Sequence, residues 1–198
     1  MNDLDSIRKP EALAAIEART DELKFGMASE LRTGVLLRLL AASKPGGRLL
    51  ELGTGTGLST AWLLSGMDSA STLISLDTNE EVQDVAREAL GSDARLRLMA
   101  CDAAGFLWRQ PKKSFDLVFA DAIPGKYEAL DEALAIVKVG GYYVIDDMLP
   151  QPNWPEGHQE KATALLEQLA KDERFFMLQL PWASGIAVLV RKPPRVDG

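Results

Sequence analysis

This chain has one cysteine, one histidine and no long apolar run, and each scarcity excludes something. With Cys101 alone, no disulfide can form within the chain, and a reducing cytoplasm is the expected setting. No apolar stretch approaches the roughly 20 residues needed to cross a bilayer. The start, Met1-Asn-Asp-Leu-Asp-Ser-Ile-Arg-Lys9, lacks the apolar centre of a secretion signal. Basic residues are in the minority: 22 Lys and Arg against 29 Asp and Glu leave a net charge of −7. Phosphate backbones need a basic face, so a nucleic-acid partner is disfavoured. Repeats, low-complexity tracts and long linkers are also missing. The 198 residues therefore read as one domain, with N-terminal helices over 1–44, a ligand-binding core over 48–147, and a loop and terminal hairpin over 148–198.

What is present is an alternation of strand and helix patterns. Residues 11–19 and 29–42 carry apolar residues at helical spacing, and Lys44-Pro-Gly-Gly47 ends the second. Strands are expected at 48–52, 72–76, 95–100, 115–120 and 142–145, with helices at 58–64, 80–90, 127–137 and 158–171. Such alternation predicts an α/β fold with a doubly wound, Rossmann-like sheet, mostly parallel, and the N-terminal helices added to it. Leu73-Ile-Ser-Leu76 and Leu117-Val-Phe-Ala120 are apolar enough for central strands, whereas Arg95-Leu-Arg-Leu-Met-Ala100 alternates and reads as an edge. Pro150, Pro152 and Pro155 stiffen a loop after Asp147. The segments 175–180 and 186–190, only five residues apart, predict an antiparallel hairpin that completes seven strands.

The first strand runs into Gly53-Thr-Gly-Thr-Gly57, and a helix follows. Glycines at a strand-to-helix turn let a ligand press against bare backbone. A dinucleotide turn, G-x-G-x-x-G, would place its third glycine where this chain has Leu58, so the turn suits a compact nucleoside better than a pyrophosphate. Every strand of the parallel set also ends at or beside an acid: Glu51, Asp77, Asp102, Asp121 and Asp146. Ligands of open α/β sheets bind beyond these strand ends, so the rim fits a cationic ligand. Asp77, after the second strand, stands where an acid accepts ribose hydroxyls. Asp102 is placed to accept from an adenine amino group or to cap the following helix, and the two roles are compatible.

These features together, with Phe119-Ala-Asp-Ala122 and the terminal hairpin, make residues 25–191 resemble the class I S-adenosylmethionine-dependent methyltransferases. Within that class the chain is similar to the catechol and caffeoyl-CoA O-methyltransferase type. The resemblance implies S-adenosylmethionine as cofactor. The implied contacts are Met27, Glu51, Gly53, Thr54, Gly55, Gly57, Ser59, Asp77, Thr78, Asp102, Ala103 and Asp121. In such enzymes an Asp in a D-A-D-K-x-x-Y motif and a later D-N pair hold a divalent metal. The matching stretches are Asp121-Ala-Ile-Pro-Gly-Lys-Tyr127 and Asp146-Asp147. The resemblance thus implies a site for Mg or Mn, with Ca also compatible, made by Asp121, Asp146 and Asp147. The chain departs from the motif in having Ile123 at the second acid, Pro124 at the catalytic lysine and Lys126 two residues late.

The implied reaction moves a methyl group to a hydroxyl of a small, catechol-like acceptor, with protein and metal making the oxygen nucleophilic. Two side chains compete for the role of base. His158 follows the fifth strand on the active-site side, and imidazole ordinarily titrates near neutrality. Lys126 would need burial to release its proton. Trp154 either covers an aromatic acceptor or packs the loop. Three other readings compete: a related enzyme acting on a hydroxylated tRNA uridine, an NAD-dependent oxidoreductase, and a cofactor-binding protein without catalysis. Leu58 and the acidic rim oppose the oxidoreductase. Relatives of this type often pair, so a homodimer is expected.

Overall fold

A computed structural model describes residues 7–151 and 154–194; Pro152 of the stiffened loop lies outside them. Two helices, α1 (Leu13–Glu22) and α2 (Leu31–Ala42), precede the alternating units β1 (Arg48–Leu52), α3 (Leu58–Gly66), β2 (Thr72–Asp77), α4 (Glu80–Leu90), β3 (Leu96–Ala100), α5 (Ala103–Leu107), β4 (Phe115–Ala120), α6 (Leu130–Ala135) and β5 (Val137–Ile145). Then come α7 (His158–Ala170), β6 (Phe175–Leu180) and β7 (Ile186–Arg191). The seven strands form one sheet in the order β3-β2-β1-β4-β5-β7-β6. The pairs among β1 to β5 are parallel, and β7 is antiparallel to both β5 and β6. The doubly wound, seven-stranded sheet is the expected one, with β3 at one edge.

Strand geometry explains the layering. Side chains alternate faces along a strand. Leu50 and Leu52 of β1 therefore pack into one core with Leu107, Val118, Tyr143 and Leu165, while Leu49 joins Leu37, Trp62, Leu73 and Phe119 in the other. The alternation also sends Glu51 into the second layer, fully buried beside Thr60 of α3 and Ser75 of β2. Strand order reverses between β1 and β4, so the connections leaving them diverge and open a crevice at their carboxyl ends.

One segment differs from its expected form. The helix predicted over 127–137 shortens to Leu130–Ala135, and β5 starts at Val137. Residues 124–128 are occupied by turns, with Lys126 N, Tyr127 N and Glu128 N all donating to the Ile123 carbonyl. Ala129 then takes a left-handed conformation (φ 50°), which delays the helix. Val137 is drawn into the sheet by pairing with Phe115, through a register shift in β4. Tertiary pairing thus overrides local helix propensity there.

Candidate active site

The turn after β1 is held from beneath. Gly53 N and Thr54 N both donate to the Leu76 carbonyl (2.9 and 3.0 Å). Gly53 has φ +100°, and a Cβ there would lie 2.4 Å from the Asp121 carbonyl oxygen, so only glycine lets the turn close against the end of β4. Thr54 Oγ1 bonds Ser75 Oγ (2.7 Å) and accepts from Gln83 Nε2 (2.9 Å). From α1, Thr20 Oγ1 reaches Thr56 Oγ1 (2.8 Å).

Glu51 belongs to this support rather than to the cavity above it. One carboxylate oxygen accepts from Thr60 Oγ1 and Ser75 Oγ, both at 2.5 Å. The other is buried with no partner among the described residues. Burial pushes the carboxyl up to about 7, against the opposing pull of the hydroxyls of Ser59, Ser75 and Thr60.

Above the turn lies a cavity of about 370 Å³, within the range of small-molecule sites. Met27, Gly53, Thr54, Gly55, Ser59, Asp77, Thr78, Ala103 and Asp121 line it, as do Phe25, Ser29 and Cys101. Glu51, Gly57 and Asp102 do not. Gly57 instead faces Ala86 of α4. Asp102 caps α5, accepting from Ala104 N (3.1 Å) and Gly105 N (2.9 Å). Asp77 is oriented by two backbone donors, Gly55 N to Oδ2 and Asn79 N to Oδ1, each at 2.8 Å. Both oxygens keep lone pairs for ribose hydroxyls. An oriented acid, open backbone at Gly55 and apolar walls from Leu76, Val82 and Ile123 fit S-adenosylmethionine.

A second cavity, about 500 Å³, shares the walls Met27–Ser29 and Asp121–Ile123 with the first. Beyond them it is lined by Lys126, Tyr127, Asp146, Asp147, Trp154, His158 and Ser184. Tyr127 OH lies 3.3 Å from His158 Nε2, and the Trp154 ring tilts against the imidazole with centroids 4.5 Å apart. His158 begins α7, so the helix fixes its direction.

The three acids expected to hold a metal do meet here, but a lysine stands among them. Lys126 Nζ is 3.2 Å from Asp121 Oδ1 and 3.5 Å from Asp147 Oδ2. Asp146 Oδ1 accepts from Ser184 Oγ and from Asp147 N (2.8 Å). Ser29 Oγ donates to Asp121 Oδ2 (3.3 Å). No group of three His, Cys, Asp or Glu side chains among the described residues is arranged to hold a metal ion. These residues do not fit a divalent ion while Lys126 lies between them.

Burial alone would lower the Lys126 ammonium, but Asp121, Asp147 and Asp146 outweigh it and hold the group above its ordinary value. Lys126 is buried, as a base would have to be, yet it keeps its proton, because the surrounding charges are opposite in sign. Burial pushes Asp121 and Asp146 upward.

Phe25 and Ser29 flank Met27 in the segment expected to close over the cofactor, whereas Ser184, which comes from the distant terminal hairpin, carried no motif. The turn at Pro124-Gly125 was legible as a dipeptide signal, though its consequence for Lys126 was not.

This fold and paired cavity define a class. The family model for the methyltransferase domain matches residues 50–148. A Mycolicibacterium smegmatis protein named as a candidate O-methyltransferase is 30% identical over 196 residues, covering 94% of this chain and 93% of that protein. A similarly named Mycobacterium marinum relative is 32% identical, covering 94% of this chain and 87% of its own length. Among solved structures, the O-methyltransferase TomG from Streptomyces achromogenes, in complex with S-adenosylmethionine, matches with a TM-score of 0.78 at 23% identity, over 96% of this chain and 93% of that one. A Bacillus cereus O-methyltransferase in complex with S-adenosylhomocysteine matches with a TM-score of 0.76 at 22% identity, over 94% of each chain. The chain belongs to the class I S-adenosylmethionine-dependent methyltransferases, in their O-methyltransferase family, and is an enzyme of that class.

Proposed function

We propose that this enzyme methylates a hydroxyl oxygen of a small aromatic compound bound in the second cavity, with His158 taking the hydroxyl proton. The observation that carries this reading is the shared wall at Asp121. It sets a cofactor-sized cavity against one lined by Tyr127, Trp154 and the only histidine. When bound, S-adenosylmethionine supplies an electrophilic sulfonium methyl. The chain's residues do the rest. Asp77 and the glycine turn hold the nucleoside, and the Met27–Ser29 segment covers the junction between the cavities. Trp154 and Tyr127 present apolar faces to an aromatic ring. The His158 imidazole, oriented by Tyr127 OH, accepts the proton as the oxygen becomes nucleophilic.

No helix among the described residues is long and apolar enough to cross a membrane. We place the enzyme in a reducing cytoplasm, on its single thiol. We also expect a homodimer, since β6 leaves Phe176 and Leu178 more than half exposed on an edge strand. Light scattering checks the dimer. Calorimetry with S-adenosylhomocysteine, followed by methyl transfer to a panel of phenols and catechols and to tRNA, checks the reaction. Cofactor binding with transfer to phenols is the expected result. Binding without transfer to any acceptor would point to a non-catalytic protein, and transfer to tRNA alone would replace the small acceptor.

A further inference from the structure

We infer that the Lys126 ammonium is the resident cation of the acceptor site and excludes a divalent metal from it. Asp121 and Asp146 are poorly solvated, Asp147 lies half-exposed beside them, and some positive charge must balance the group. The structure supplies it from within the chain. Lys126 has a side chain only 6% exposed, and its Nζ is shared by Asp121 Oδ1 at 3.2 Å and Asp147 Oδ2 at 3.5 Å. A hard divalent ion would need those same oxygens at roughly 2.0–2.6 Å and would sit against the ammonium. One oxygen of the third carboxylate is already engaged, since Asp146 Oδ1 accepts from Ser184 Oγ and Asp147 N.

The backbone explains how a lysine two residues late reaches this place. Gly125 has φ +92°, and a Cβ there would lie 2.5 Å from Leu52 Cδ1 and 3.0 Å from Tyr143 OH. The chain therefore turns tightly against the end of β1, with Gly125 N bonded to the Glu128 carbonyl (2.7 Å) and Tyr143 OH donating to the Gly125 carbonyl. That turn aims Lys126 inward. Two of its three N–H donors are used by the carboxylates, and the third is available to an acceptor oxygen. Only this last assignment rests on the cavity being the acceptor site; exclusion of metal does not.

The test is binding of Mn²⁺ to the full chain, read by electron paramagnetic resonance, without added substrate. Wild type and Lys126→Arg are expected to leave the ion free up to ~1 mM, and Lys126→Met to bind it at least about tenfold more tightly. Adding Asp121→Asn to Lys126→Met is expected to abolish that binding. Site-bound Mn²⁺ in wild type, weakened by Asp121→Asn or Asp147→Asn, overturns the inference. So does a folded Lys126→Met that binds none. Should Lys126→Met fail to fold, wild type decides: no bound Mn²⁺ upholds the inference, and bound Mn²⁺ lost with Asp121→Asn overturns it. A failure to methylate phenols would sink the proposed reaction and leave the Mn²⁺ result standing.

Discussion

Glu51 sits beneath the glycine turn and bears on the stability of the fold through its buried carboxyl. Its carboxyl is raised to about 7 by burial, above the ordinary 4.5, so the folded state binds its proton more tightly than the unfolded chain does. For a raised acid, the stabilisation is present at low pH and declines as pH rises from about 4.5 through about 7. Glu51→Gln removes that dependence. The variant's stability relative to wild type should improve between pH 5 and pH 8 by up to about 3 kcal/mol. Urea denaturation at the two pH values checks it; an unchanged difference would show that Glu51 is ionised in the fold. His158 is the opposite kind of residue, half-buried and facing the second cavity. His158→Asn should lower the single-turnover rate by ~10²-fold or more, as loss of a general base does, and leave S-adenosylhomocysteine affinity within about threefold. A wild-type rate would remove histidine from the chemistry.

At the scale of elements, the turn joining β1 to α3 is the most constrained piece of the molecule. Gly53→Ala must hold a left-handed residue and push its Cβ against the Asp121 carbonyl. The backbone term alone costs about 1–3 kcal/mol. A fall in melting temperature of roughly 3–10 °C is expected for a domain of this size, with cofactor affinity weakened at least tenfold because the strand ends are forced apart. Differential scanning calorimetry and titration with S-adenosylhomocysteine measure both. This turn was legible in the sequence because glycine spacing is a local signal. The segment 121–130 was not, because local signals conflict there. Its apolar spacing suggests a helix from Tyr127, whereas the structure uses Gly125 and a left-handed Ala129 to delay it. Lys126 therefore looked misplaced in the motif, although its ammonium comes to rest beside Asp121.

Across the whole molecule, charge and cofactor are complementary. The chain carries −7 overall, and Asp77, Asp121, Asp146 and Asp147 lie on the two cavities at one end of the sheet. S-adenosylmethionine carries one positive charge more than its demethylated product. Raising salt from about 0.05 to 0.5 M shortens the screening length to a few ångströms. Affinity for S-adenosylmethionine should then fall at least about twofold more than affinity for S-adenosylhomocysteine. Parallel calorimetric titrations read the difference; equal losses would mean that Lys126 already cancels the field felt at the sulfonium.

The sequence by itself determined the sheet, its edge at β3, the antiparallel end and the cofactor turn. These follow from periodicity, glycine spacing and acids at strand ends, all of which act over a few residues. Only the tertiary structure decided what several of the acids do. Glu51 went beneath the turn because strand alternation and the α3 layer bury it, whereas the cap that Asp102 makes on α5 was legible in the sequence. Asp121 and Asp147, 26 positions apart in the chain, were joined by an ammonium that the turn at Gly125 aims between them. Charge pairing in a buried place depends on which groups the packed chain brings within a few ångströms, and no local pattern carries that distance.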